Sequence, residues 1–378
     1  MKYFKINIDT NFDEICKFIA PSNEGRAMMR KKSNFNFFLL KDIRSPAANI
    51  LKQDALSVGA DLVTNKNTIL NGENSTALLM ATDAQIAKLA KKESVQDFGL
   101  RGLAKFLKSN FKKPKKPKIM GVVNINDDSF NEASRVNTAN GIEKITRMID
   151  DGAEYIDLGA VSSRPGSKYV GSKEEFARLK EIVAEIYRLN LHEKVKFSLD
   201  SFDEYCLEYA LNHGFKMIND ITGNINLTRL AVSYGVQYCL MHMQNNPENM
   251  QDNPTYGDLI GEIDEFFATK VAAANKLGCE DIVLDVGIGF GKTAEQNLFL
   301  IKHLEHFLHF EKPLFVGASR KSVINFYSPS EVKDRLAGSL FLHLEAFKNG
   351  AQIIRTHDVK EHMQMFRMHE AMGAISVW

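Results

Sequence analysis

The chain is poor in cysteine, nearly neutral and free of long apolar runs. Its 378 residues include four widely separated cysteines and no C-x-x-C pair, which argues against a disulfide framework or a structural zinc site. A formal net charge of +1 gives no reason to expect nucleic-acid or membrane binding through bulk electrostatics. The N-terminus has no apolar core of signal-peptide length, and no run approaches the roughly 18 residues of a membrane span. We therefore expect a cytoplasmic protein with neither kind of partner.

The composition, 44% hydrophobic and 25% charged, is that of an ordinary globular protein, and the length suits a large barrel with an added module. Residues 1–111 predict a small α+β extension of unassigned role, with strands at 35–43 and 76–82. Residues 112–117 predict a Lys/Pro linker, because prolines and like charges oppose regular structure. A nucleic-acid patch is the less favoured alternative there. Residues 118–378 form the third predicted segment.

From residue 118 onward, apolar runs of strand length alternate with helical patterns. Eight such units in roughly 260 residues predict a (β/α)8 TIM barrel. The competing fold, a doubly wound open sheet, seldom has eight regular repeats and usually carries a nucleotide fingerprint, which is absent. Capping boxes are predicted at Ser172, Ser201 and Thr293, where helices should begin. The eight runs are IMGVVNI, YIDLGAV, VKFSLDS, MINDI, VQYCLMHM, IVLDVGIG, PLFVGAS and AQIIRTH.

Nearly every predicted strand ends on a polar or charged side chain. In a barrel the C-terminal strand ends converge on one mouth, so the whole set predicts a ligand site. For any single position, a polar side chain that is merely exposed to solvent at the barrel mouth is an equally good explanation. The set comprises Asn124, Asp157, residues 162–166, Asp200, Asn219, Asp220, His242, Asp285, residues 319–321, Arg355 and His357.

These side chains sort into two ends of one pocket. Asp200, Asn219 and Asp285 suit a heterocycle that offers an amino group beside a ring N–H, and Lys321 could serve its carbonyl or ring nitrogens. Asn124, Arg355 and His357 come from the first and last strands, which are neighbours once a barrel closes. They suit an anion, with a divalent cation held through oxygen ligands as an option.

The glycine-rich segment 282–292, IVLDVGIGFGK, is a strand that ends on Asp285 and a loop that follows it. Its Gly-Lys-Thr ending is typical of a phosphate-binding loop, but Val286 occupies the position of that motif's first glycine. Neither Lys292 nor His242 receives a role. His303, His306 and His309 recur every third residue on the sixth barrel helix, which is more often a surface pattern than a metal site.

The motifs resemble those of the dihydropteroate synthase family, in the family's order, over 118–372. The most specific combination is MHMQ-x-NP, G-x-SRKS and R-x-HDV. The N-terminal module resembles an extension found in some bacterial members. The segments that carry the resemblance are IMGVVNINDDSF, SSRPG, SLDS, INDI, LMHMQNNPENMQ, LDVGIGFGK, GASRKS and RTHDV.

The resemblance implies that 6-hydroxymethyl-7,8-dihydropterin pyrophosphate condenses with 4-aminobenzoate to give 7,8-dihydropteroate and pyrophosphate, in folate biosynthesis. It also implies Mg²⁺ as cofactor, a homodimer, and sulfonamides as competitors. Asp200, Asp285, Lys321 and Arg355 are the implied catalytic residues. The implied binding residues are Asp200, Asn219, Asp285 and Lys321 for pterin; Asn124, Arg164, Arg355 and His357 for pyrophosphate, with Asn124 also on the metal; and Ser163, Pro165, Phe290 and Ser319 for aminobenzoate.

Some positions depart from the family's pattern. Asn126-Asp127 stand where Thr-Pro is usual, and Ala160-Val161 replace Gly-Glu, which removes a carboxylate beside the second loop. Two alternatives stay open. One is a pterin-dependent methyltransferase acting on methyltetrahydrofolate, and the other is a non-catalytic pterin-binding paralogue.

Overall fold

The computed structural model describes residues 1, 3–7, 10–68, 74–125, 134–161, 167–246 and 248–375, without side chains at 134–137. The chain divides into two compact units. One contains Met1–Asn110 with His369–Trp378, and the other contains Phe111–Met368.

The N-terminal unit is an antiparallel three-stranded sheet with helices. The strands β1 (Phe35–Ile43), β2 (Asp61–Thr64) and β3 (Ser75–Thr82) lie in the order β1-β3-β2. Leu62 and Leu79 are buried on one face, whereas Phe37 and Leu39 of β1 stay exposed on the other. The sheet therefore has one packed face and one apolar face open to solvent. The helices are α1 (Phe12–Ile19), α2 (Asn23–Ser33), α3 (Ser45–Ser57), α4 (Asp83–Glu93) and α5 (Leu100–Leu107).

The second unit is a closed barrel of eight parallel strands, as predicted. The first and last strands pair through Met120 and Arg355, which closes the barrel. The strands are β4 (Lys118–Asn124), β5 (Tyr155–Gly159), β6 (Lys196–Asp200), β7 (Met217–Asp220), β8 (Gln237–Met241), β9 (Ile282–Asp285), β10 (Leu314–Val316) and β11 (Ala351–Thr356).

Helices surround the strands and bury their apolar faces against them. Leu179, Val183 and Ile186 of α7 (Ser172–Arg188) are fully buried, as their helical spacing predicts. No described helix combines the length and apolar character that crossing a membrane requires. The helices are α6 (Ser134–Asp150), α7 (Ser172–Arg188), α8 (Glu204–Asn212), α9 (Leu227–Tyr234), α10 (Leu259–Lys276), α11 (Ala294–Lys302), α12 (Ser322–Tyr327), α13 (Leu336–Lys348) and α14 (Val359–Ala374), with 3-10 helices at Leu191–Glu193, Leu304–Phe310 and Val332–Asp334.

The barrel interior is filled below the strand ends by an apolar layer. Each member lies on a strand and precedes the site residue that this strand, or the loop after it, carries. Because this layer fills the lumen, polar side chains at the strand ends can reach solvent only at the C-terminal mouth. The layer consists of Met120, Tyr155, Met217, Cys239, Val283, Phe315 and Ile353.

Only one of the three predicted barrel capping boxes forms. Thr293 and Gln296 make the reciprocal pair at the start of α11. The box predicted at Ser172 is wrong, because Gly171 is the N-cap and Ser172 Oγ instead donates to Asp203 Oδ1 at 3.0 Å. The box predicted at Ser201 is also wrong, since Asp203 caps α8 by accepting from the Cys206 backbone N–H.

Candidate active site

Arg355 organises the floor of the mouth. Its Nε donates to Asp157 Oδ2 at 2.7 Å, and its Nη2 lies 2.8 Å from Asp200 Oδ2. Asn219 Nδ2 donates to the same Asp157 oxygen at 3.0 Å. Strands β5, β6, β7 and β11 thus place four polar side chains in one network. The network confirms that Asp200 and Asn219 face inward, and it shows that Arg355 does too.

Asp157 is the member of this network for which the sequence suggested no individual role. It is fully buried, and among the described residues nothing donates to its Oδ1. A buried oxygen without a donor is costly, so an N–H group placed at this point would satisfy an acceptor that the described side chains leave unpaired. The available signal was a lone aspartate in the middle of the apolar strand YIDLG, where the alternation of side chains directs it into the barrel.

Asp285 and Lys321 form the opposite wall. The Gly287 backbone N–H donates to Asp285 Oδ1 at 2.8 Å. Lys321 Nζ donates to the Ile288 carbonyl and lies 4.5 Å from the centroid of the Phe290 ring. The structure therefore brings Lys321 to the glycine loop, with the Phe290 ring above its ammonium group.

Burial disfavours the charged forms of most groups in this pocket. It raises the pKa of Asp200 to about 7, with a further upward contribution from Asp157, although Arg355 opposes the shift. Burial also raises the pKa of Asp285 and lowers the pKa of Lys321 to about 8. Acidic groups with raised pKa values beside a basic group with a lowered pKa are typical of binding and catalytic sites.

The three residues predicted to form one anion cluster do not make hydrogen bonds to one another in the described structure. Arg355 turns to the floor. His357 Nδ1 instead lies 2.9 Å from Ser319 Oγ, and burial followed by the charge of Arg355 lowers the pKa of His357 to about 4. Asn124 is exposed at the end of β4. His357 is accordingly a neutral, anchored imidazole, and Ser319 holds it in place.

The glycine loop is fixed against the backbone beyond β8. Gly287, Gly289 and Gly291 all have positive φ, and a Cβ on Gly287 would lie 2.0 Å from the His242 carbonyl oxygen. These glycines therefore permit a close approach between two backbone segments, and no phosphate is needed to explain them.

His242 and Lys292 are partners in that approach. Lys292 is buried, and its Nζ lies 3.1 Å from His242 Nδ1 while donating to the carbonyl oxygens of Gly287 at 3.1 Å and Phe290 at 2.9 Å. Burial lowers the pKa of Lys292 to about 7 and that of His242 to about 3. The pair fixes the loop that carries Phe290.

Several predicted site residues lie outside the described part of the chain. They are Ser163, Arg164 and Pro165 of the second loop, together with the departures Asn126 and Asp127 of the first.

The rim beside Gly159 presents two oxygen atoms of the kind that a divalent cation binds. A Cβ at Gly159 would lie 3.4 Å from Asn124 Oδ1 and 3.8 Å from Asp200 Oδ2, so the glycine leaves a space faced by an amide oxygen and a carboxylate oxygen. Mg²⁺ prefers such oxygen ligands and usually binds through one or two protein groups together with waters and phosphates.

Comparison with known proteins agrees with this geometry. Residues 120–357 match the family described as pterin binding enzyme. The chain is 41% identical over 359 residues to the bifunctional dihydropteroate synthase/dihydropteroate reductase of Helicobacter pylori, with 94% of each chain covered. It is 36% identical over 260 residues to the dihydropteroate synthase of Escherichia coli K12, which covers 68% of this chain and 91% of that one.

A solved structure shares the same fold. The Yersinia pestis dihydropteroate synthase in complex with a sulfonamide drug superimposes with a TM-score of 0.64 at 35% identity, and covers 69% of this chain and 95% of that one. The chain belongs to the pterin-binding enzyme family. Within that family, these three relatives are dihydropteroate synthases.

Proposed function

We propose that the barrel joins 6-hydroxymethyl-7,8-dihydropterin pyrophosphate to 4-aminobenzoate and releases pyrophosphate. The observation that carries this is the network around Arg355, in which the buried Asp157, the half-buried Asp200 and an asparagine line one floor. Such a floor suits a flat ring with an amino group beside a ring N–H, as a pterin has. The unpartnered Oδ1 of Asp157 adds one more acceptor to it.

At the floor, Asp200, Asn219 and Asp285 would accept the pterin's N–H groups, and Lys321 would donate to its acceptors. The C–O bond to pyrophosphate breaks with its electron pair leaving on oxygen, and the aminobenzoate nitrogen forms the new C–N bond and then loses a proton. Positive charge develops on the pterin methylene as the C–O bond breaks. Nearby carboxylates stabilise that charge.

At the rim, the leaving pyrophosphate needs cations and hydrogen-bond donors. Arg355 Nη1 has no hydrogen-bond partner among the described residues, so it is free to donate to a phosphate oxygen while Nε and Nη2 stay on the two aspartates. Asn124, His357 and Arg164 complete the proposed pyrophosphate site. When bound beside Asn124 and Asp200, Mg²⁺ would neutralise part of the pyrophosphate charge.

Aminobenzoate would bind above the pterin, between Phe290, Ser319 and the loop with Ser163 and Pro165. Phe290 is half-buried and sits over Lys321, so its ring borders both substrates. The sulfonamide complex of the Yersinia pestis relative supports the proposal that sulfonamides compete here.

The deciding assay is pyrophosphate release by the full chain with Mg²⁺. We expect release only when both dihydropterin pyrophosphate and 4-aminobenzoate are present. Pterin binding without pyrophosphate release would support a non-catalytic pterin-binding paralogue. Methyl transfer from methyltetrahydrofolate would support a pterin-dependent methyltransferase. A chain that binds no pterin would overturn all three.

We also propose that the protein works as a cytoplasmic homodimer. Helices α12 and α13 contact each other where Gly338 meets Ile324, and they expose Phe326, Tyr327 and Phe341. Exposed aromatic rings on adjoining helices are typical of subunit interfaces. Phe341→Asp should therefore shift the protein from dimer to monomer in sedimentation analysis, whereas a wild-type chain that sediments as a monomer would refute the proposal.

A second activity, dihydropteroate reduction, is favoured by the share of this chain that aligns with each relative. The Escherichia coli synthase covers 68% of this chain, while the bifunctional Helicobacter pylori relative covers 94%. The larger coverage must include most of the N-terminal unit. We propose that this unit supports reduction of the dihydropterin C=N bond, with hydride from a reduced nicotinamide or flavin and a proton from solvent.

This second activity can be separated from the first with one variant. Asp200→Asn should lower synthase activity, and we expect it to retain wild-type NADPH- and flavin-dependent formation of tetrahydropteroate from 7,8-dihydropteroate. Reduction that is lost together with the synthase would assign both reactions to the barrel. No reduction by the wild-type chain with either donor would refute the reductase.

A further inference from the structure

The outer layer of the barrel carries a second cluster of metal-binding side chains. Asp264 lies on α10, and His306 and His309 lie on the 3-10 helix Leu304–Phe310. Their three donor atoms all lie within 4.8 Å of one another. Other elements supply the residues of the mouth, so this cluster is separate from the pterin site.

The local helix type explains why the two histidines point the same way. A 3-10 helix has three residues per turn, so side chains at i and i+3 are eclipsed. On an α-helix the same spacing would set them about 60° apart around the axis. The sequence-based expectation of a surface pattern on the sixth barrel helix was therefore wrong about the element, because α11 ends at Lys302 and the histidines follow on the tighter helix.

Asp264 Oδ1 is the shared partner of both rings. It lies 2.9 Å from His306 Nε2 and 2.5 Å from His309 Nε2. Both imidazole nitrogens thus hydrogen-bond the same carboxylate oxygen, and a metal ion would take the place of the shared protons. The side chains are 28%, 16% and 31% exposed for His306, His309 and Asp264, so a water molecule can reach that oxygen.

The two elements are held together independently of the cluster. Phe267, three residues after Asp264, is fully buried and packs edge-on against Phe307, with ring centroids 5.7 Å apart. It also contacts Phe310 at 6.0 Å. Aromatic packing therefore holds the two ligand-bearing elements together, independently of the side-chain hydrogen bonds that an ion would replace.

We propose that Asp264, His306 and His309 bind a divalent transition-metal ion, of which Zn²⁺ is the best match. Zn²⁺ is commonly held by three protein ligands of the imidazole and carboxylate type with water in the fourth position. Binding places the ion on both Nε2 atoms, so each ring must carry its proton on Nδ1. The ion would tie α10 to the segment that precedes β10.

The test uses the full chain stripped with a chelator. Titration calorimetry with Zn²⁺ should show one equivalent per chain, and Co²⁺ should give the visible absorption of a four-coordinate ion. The double variant His306→Gln/His309→Gln should lose at least about tenfold in affinity, as expected when ligands are removed. His303→Gln is the matched control, because the His303 ring packs against Phe299 outside the cluster and the variant should leave binding unchanged.

Two further measurements locate the ion at this cluster. Asn124→Ala should retain the Zn²⁺ equivalent, because the ion is not at the rim of the mouth. Zn²⁺ should raise the Tm of the wild-type chain and not that of the double variant. Absence of stoichiometric binding, or affinity unchanged in a folded double variant, would overturn the proposal.

Discussion

Arg355 Nη2 and Asp200 Oδ2 form an ion pair 2.8 Å long at the floor of the barrel mouth. The sequence assigned these residues to opposite ends of one pocket, the arginine to the pyrophosphate and the aspartate to the pterin. Because they form an ion pair, the electrostatic potential at the pterin end of the pocket depends on the charge at the pyrophosphate end. A ligand that neutralises Asp200 changes the potential at Arg355, so the two parts of the first substrate should be recognised together.

Asp200→Asn should weaken pterin binding. The asparagine amide replaces one of the two acceptor oxygens with an NH2 donor, so a buried polar group is mismatched at a cost of about 1–3 kcal/mol. Titration calorimetry with a pterin measures the change. Asp281→Asn is the control at the opposite end of the barrel, where the Asp281 carboxylate accepts from Gln237. Pterin affinity equal to the wild type in Asp200→Asn would remove Asp200 from the site.

Arg355→Lys should reduce kcat/KM for the pterin pyrophosphate by about 100-fold while leaving the charge in place. An ammonium group cannot span two carboxylates as the planar guanidinium does, and a buried ion pair that is disrupted costs about 3 kcal/mol or more. Steady-state pyrophosphate release measures this. Arg188→Lys, at a surface pair with Glu185, should behave as the wild type. Equal losses in both variants would indicate a general effect of arginine replacement.

Gly287→Ala should destabilise the barrel severely. The residue has φ of +70°, and the added Cβ would lie 2.0 Å from the His242 carbonyl oxygen, so both strain and a backbone clash oppose it. We expect a loss of about 3 kcal/mol or more in the free energy of unfolding. Gly235→Ala isolates the strain, because Gly235 has φ of +62° with open space around it. That variant should lose only about 1–2 kcal/mol. Thermal unfolding compares the two, and similar losses would contradict the clash.

Lys292→Met should alter how stability depends on pH in the alkaline range. Burial lowers the pKa of Lys292 from 10.5 to about 7 on folding. Between these values the unfolded chain binds the extra proton, so this lysine makes stability rise with pH from about 7 to 10.5. The variant should lack that rise, whereas the exposed Lys302→Met should keep it. The measurement is Tm at several pH values between about 7 and 10.5. A pH profile of Lys292→Met identical to that of the wild type would contradict the assignment.

The sequence was sufficient for the barrel because its signals are local. Strand length, helical spacing and the turn from one to the other are set by neighbouring residues, and all eight predicted strands are found. Capping was less predictable. Ser172 could bond either to its own helix or to Asp203, and only the tertiary fold brings Asp203 within 3.0 Å.

The candidate site was predictable in its members and less so in their contacts. Asp200, Asn219 and Asp285 lie at the ends of their strands and face the pocket as expected. The long side chains were harder to place, since the guanidinium of Arg355 could reach either the rim or the floor. Its actual direction depends on Asp157, a buried partner 198 residues away in sequence. The pairing of Lys292 with His242 likewise depends on two loops that only the folded barrel brings together.

The tight contact between the glycine loop and the backbone at His242 has a consequence for inhibitor escape. Side chains at Gly287 and Gly291 would lie 2.0 Å and 2.7 Å from carbonyl oxygens of the neighbouring segment, so single substitutions there carry a folding penalty. A compound that makes its main contacts with the backbone of this loop would meet a surface that point mutation can scarcely reshape. Resistance to such a compound would have to arise at positions that tolerate new side chains, and a selection experiment would find its variants there.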